Sequence, residues 1–91
     1  MKANEKFMAM IKPYPFATNF VSETGSSYSL DIKAIKEFLT VCSSGEKILL
    51  QFFCTLWSRE DSFDFSILDA GALPDKDRNV IVSWLQDPFW P

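Results

Sequence analysis

SSGEKILLQFFCTLWS, residues Ser43–Ser58, is the most apolar run of the chain, and it opens with a helix-start signal. Ser43 followed by Glu46 is the capping-box pattern, in which the serine oxygen accepts the Glu46 N–H and the glutamate reaches back to the serine N–H. At 100° per residue, Lys47, Gln51, Thr55 and Ser58 fall within one narrow stripe. Apolar side chains, from Ile48 to Trp57, take the rest of the circumference. A helix apolar on nearly all sides must be covered on most of them. The stretch therefore predicts a central helix over about 44–58, with a single polar seam.

The neighbour on its N-terminal side is also helical in pattern. Asp31 is a good N-cap and Leu30 before it can staple onto Ile35. Ile35, Phe38, Leu39 and Cys42 then line one face of a helix over 31–42, opposite Lys33, Lys36, Glu37 and Thr40. The short Ser43–Gly45 connection predicts that this helix runs antiparallel to the central one. On the C-terminal side, Pro74 suits the first position of a helix over 74–86. Asp75 and Asp77 lie in its first turn, where they favour the dipole. Val80, Ile81, Trp84 and Leu85 form its apolar face, and Asp87–Pro88 ends it. Between these two helices, Phe63–Leu68 reads two ways. Phe63, Phe65 and Ile67 alternate as in a strand, whereas Phe65, Leu68 and Ala72 fit a short helix capped by Asp64 and ended by Gly71.

The first thirty residues carry weaker signals. Asn4–Lys12 reads as a short helix stopped by Pro13 or, nearly as well, as a strand. Pro13 and Pro15 hold Tyr14 out of the helical region, so that KPYPF reads as an extended crossover rather than a polyproline ligand. Phe20–Thr24 and Ser27–Ile32 flank Gly25 with the alternation of a hairpin, Tyr28, Leu30 and Ile32 on one side. An irregular loop is the competing reading, because two strands alone are marginal. The expectation is a mainly α domain of three to four helices around the central one, with α+β as the alternative. A single domain over 1–91 divides into an extended or irregular segment 1–30, a helical core 31–88 and an aromatic tail 89–91.

Composition bounds the function. The chain has 91 residues, 47% of them hydrophobic and 15% aromatic, as in a folded globular protein. A net charge of −3 lacks the basic face that a phosphate-backbone binder needs, so no nucleic-acid partner is expected. Neither a signal-peptide pattern nor an apolar run of the roughly 20 residues that span a bilayer is present, which predicts a cytoplasmic protein without a membrane partner.

The chemical inventory is short. There is no histidine, and only two cysteines, too few thiolates for a zinc site. Helical spacing puts Cys42 and Cys54 about 15 Å apart, too far for a disulfide. Both read as small buried hydrophobes. Glu60, Asp61, Asp64 and Asp69 cluster within ten residues, but the alternation and the glycine of a calcium loop are missing, so solvated loop and cap carboxylates explain them better than a metal. Serines without a base, and isolated glycines without a phosphate-cradling loop, complete an inventory that supports no enzyme, cofactor or metal.

What remains is aromatic load. Three tryptophans and nine phenylalanines are many for one small core, and tryptophan is enriched at interface hot spots. The expected function is protein interaction, with a partner protein or a second copy. A small-molecule or lipid-tail binder is the alternative. Phe89 and Trp90 are the candidate partner-binding residues. Pro88 keeps them out of the last helix, so the tail either folds back over its own core or docks elsewhere with Trp90 as anchor.

Overall fold

The computed structural model describes residues 2–24, 27–59 and 63–91. Six helices and one hairpin are formed among them: α1 Ala3–Ile11, α2 Pro15–Thr18, β1 Val21–Thr24, β2 Ser27–Leu30, α3 Ile32–Phe38, α4 Ser44–Ser58, α5 Ile67–Ala70 and α6 Asp75–Gln86. The fold is mainly α, and α4 is its centre.

The capping box of α4 is complete. The Glu46 N–H donates to Ser43 Oγ at 3.3 Å, and the Ser43 N–H donates to Glu46 Oε1 at 3.1 Å. Seven residues from Leu49 to Leu56 are buried, and their partners come from all parts of the chain. Phe53 meets the edge of Phe7 on α1 at 6.4 Å between centroids and Tyr14 at 5.8 Å. Phe52 meets Phe65 at 5.3 Å and Trp84 on α6 at 5.8 Å. Aromatic pairs at such separations add to their area burial. The helix ends at Arg59, which takes a left-handed conformation with φ 58°.

The polar seam of α4 is not uniform in its surroundings. Lys47 is exposed and Thr55 turns back to donate to the Gln51 carbonyl at 2.8 Å, but Gln51 is only 7% exposed.

In the N-terminal third, the helical reading of 4–12 holds. After Lys12 the ladder ends, because Pro13 has no N–H to continue it. The expected extended crossover is replaced over 15–18 by one helical turn. Tyr14 is extended, with φ −118° and ψ 92°, as the following proline requires. Pro15 then occupies the first helical position, where its fixed φ is already suitable. Segment 1–30 is thus largely ordered into helix and hairpin. β1 and β2 pair antiparallel with Val21 opposite Leu30 and Glu23 opposite Tyr28. Gly25, between them, lies outside the described residues. The Asp31 N–H donates to the Phe20 carbonyl at 2.9 Å, extending the pairing to the start of α3.

Asp31 caps α3 by accepting the Ala34 N–H at 3.1 Å. The helix is shorter than the apolar spacing predicts; beyond Phe38 it tightens into turns whose Val41 and Cys42 N–H groups both donate to the Phe38 carbonyl. At α5 the helical alternative holds, but the cap is Ser66, which accepts the Leu68 N–H at 3.3 Å. Asp64 instead adopts φ 57°, a left-handed position that aspartate tolerates better than most residues. One turn then buries Ala70, with Leu73 behind it, and leaves Leu68 outside. Pro74 is the residue before α6 and not its first; its carbonyl accepts the Arg78 N–H at 2.8 Å. Leu85, expected in the buried face, is 53% exposed. Only Ile81 of that helix is fully buried, with Val80 and Trp84 half-buried, because α6 meets the core along one narrow edge.

No helix among the described residues is long and apolar enough to cross a membrane.

Candidate functional site

The tail is positioned by three elements. At the end of α6, the Asp87 N–H donates to Ser83 and Trp84 carbonyls, and Pro88 prevents a further turn. The chain then turns back so that Trp84 Nε1 donates to the Phe89 carbonyl at 2.9 Å. From the end of α4, the Arg59 guanidinium donates to the Trp90 and Pro91 carbonyls, each at 3.3 Å. From α1, Lys6 Nζ lies 5.9 Å from the centroid of the Phe89 ring and 3.9 Å from the Asp87 carboxylate.

These contacts treat the two candidate residues differently. Phe89 is half-buried and packs against the core. Trp90 stands edge-on to Trp84 at 5.1 Å and 81°, yet stays 52% exposed. Val82 and Leu85 of α6 are also exposed apolar residues. The tail therefore folds back and still presents a large aromatic surface. Arg59 and Lys6 escaped the sequence reading because nothing local marks them; both act across more than thirty residues of chain.

A second feature lies on the other side of α4. A cleft of about 870 Å³ opens between α3, α4 and the 63–69 segment. Ile48, Leu39 and Phe63 give it apolar walls, and Gln51 sits in its lining. Lys36 and Lys47 face it from the helices, Asp64 and Asp69 from the opposite segment. Lys36 Nζ rests 5.8 Å from the Phe63 ring centroid. Of the four clustered acidic residues, Glu60 and Asp61 lie outside the described residues. Among the described residues no three potential ligands gather as a metal would need.

The cysteines are free thiols. Burial pushes the Cys54 thiol up to about 12. Burial, and then the Glu46 carboxylate, raises that of Cys42, so neither is poised as a thiolate nucleophile. Among the described residues, Tyr14 is the other group that is clearly shifted. Burial first, and then its hydrogen bond to Asp77 Oδ1 at 3.0 Å, lift its phenol to about 12.

No family model, curated protein or solved structure matches this chain.

Proposed function

We propose that the protein is a small interaction domain of a reducing, cytoplasmic compartment, without catalytic activity, that docks on a protein surface through its tail, with Trp90 as the anchor and Phe89 beside it in the chain. The observation that carries this reading is Trp90 itself. Its carbonyl accepts from Arg59 and its ring meets Trp84 in a T-shaped pair, while half of its surface is left in water. A half-exposed tryptophan tethered through its carbonyl and packed on a neighbouring indole has the make-up of an interface anchor, because less conformational entropy is lost when a partner covers it. Phe89, the residue before it, is half-buried against the core. Two free thiols fit a reducing compartment, and the charge of −3 favours protein over nucleic acid as partner.

Light scattering across a concentration series, together with capture of partners from the source cells, tests this reading with Trp90→Ser. The position is half-exposed, so the melting temperature should move little. Self-association or capture by the unaltered protein should be lost in the variant. Association that survives the substitution, or its absence in the unaltered protein, refutes the assignment.

A further inference from the structure

Gln51 is a buried amide without a hydrogen-bond partner among the described residues, although it is only 7% exposed. No fully sealed side-chain nitrogen or oxygen among those residues lacks a partner, so its amide is open towards the cleft that it lines beside α4. A glutamine amide offers two donors and an acceptor, and burying them unmatched is unfavourable. The position one turn earlier on the same face is Lys47.

The charges around this amide narrow what can occupy the cleft. Lys36 and Lys47 stand on the helical side, Asp64 and Asp69 on the other, and none of the four forms an ion pair among the described residues. A simple anion is attracted by the lysines and repelled by the aspartates; a simple cation meets the reverse. A molecule with both signs is matched by both walls. Leu39, Ile48 and Phe63 add apolar surface that suits a hydrocarbon side chain. The volume falls in the range of small-molecule sites.

We propose that this cleft binds a small zwitterion of the apolar α-amino-acid class, its carboxylate on Lys47 and the Gln51 amide, its ammonium between Asp64 and Asp69. Lys36, held over Phe63, adds positive potential on the carboxylate side. The site is separate from the Trp90 face and stands or falls independently of it.

The side-chain amide of Gln51 reports directly on occupancy. It is one of only two glutamines, and the other, Gln86, is exposed at the end of α6. Titration of ¹⁵N-labelled protein with L-leucine and L-phenylalanine should give a saturable shift of the Gln51 NH₂ signals with at least one of them, leaving Gln86 unmoved. The single-charge analogues of leucine, 4-methylpentanoate and 3-methylbutylamine, should each bind at least tenfold more weakly. Gln51→Met, followed through the backbone signal of Ile48, should raise the melting temperature while abolishing the response, because a hydrocarbon replaces a buried amide that has no partner among the described residues. Lys47→Gln, at an exposed position, should weaken binding at least fivefold with melting unchanged. No saturable shift with either amino acid overturns the proposal, as does an analogue that binds as well as leucine. Undiminished binding by Gln51→Met or by Lys47→Gln overturns it too.

Discussion

Tyr14 shows how a single side chain joins distant parts of this chain. It lies between two prolines, is buried against Phe53, and donates to Asp77 in the first turn of α6. Burial disfavours its phenolate, and so does the adjoining carboxylate; the folded protein therefore holds the proton to about 12, against 10.0 for the unperturbed group. The folded state binds more protons than the unfolded one in that window. The associated stability is complete below pH 10 and is lost as pH rises towards 12. Tyr14→Phe should cost about 1 kcal/mol at neutral pH, through the lost hydrogen bond, and should flatten the alkaline fall. Denaturant midpoints measured from pH 7 to 12 for both proteins check the two effects together. An equally steep alkaline fall in the Tyr14→Phe protein would show that this phenol is not responsible.

At the scale of elements, the ends of helices decide how well each one was legible. Ser43 and Glu46 close a box that needs only local chain, and α4 starts where that pair places it. Ser43→Ala should lower stability by about 1 kcal/mol, read as a shift in the urea midpoint with an unchanged slope. Asp31 is equally local, and so is its cap on α3. The discrepancies arise where two local patterns competed or where tertiary packing chose. Pro15 reads with Pro13 as part of an extended connector, but as the first residue of a turn it initiates α2. Asp64 reads as the cap of this turn, but its left-handed conformation leaves that role to Ser66. Leu85 fits the apolar stripe of α6 by spacing, yet no neighbour arrives to cover it. Of the sites, the exposed tail was visible as an aromatic run after a proline. The cleft was only hinted at by the seam of α4, since its opposite wall is brought in by a segment whose conformation the pattern left open.

The whole molecule has a radius of gyration of 12.4 Å, close to the roughly 12 Å expected of a compact chain of this length, so the N-terminal third packs on the helical core instead of trailing from it. Phe53 is where that packing converges, meeting Phe7, Tyr14 and Phe52 with 1% of its surface exposed. Phe53→Ala should destabilise by about 3–5 kcal/mol, the cost of removing a core ring whose surroundings cannot all close in. Much of the marginal stability of so short a chain would go with it. Calorimetry should show one transition at lower temperature; a loss below about 1 kcal/mol would place the organising contact elsewhere. The pairing of Trp84 with Trp90 has a different consequence. Two indoles edge-on at 5.1 Å are near enough for their electronic transitions to mix, which gives circular dichroism a paired band of opposite signs that neither ring produces alone. The protein thereby carries an intrinsic optical reporter of its own tail, one that fades when Trp90 leaves its neighbour and needs no dye or label.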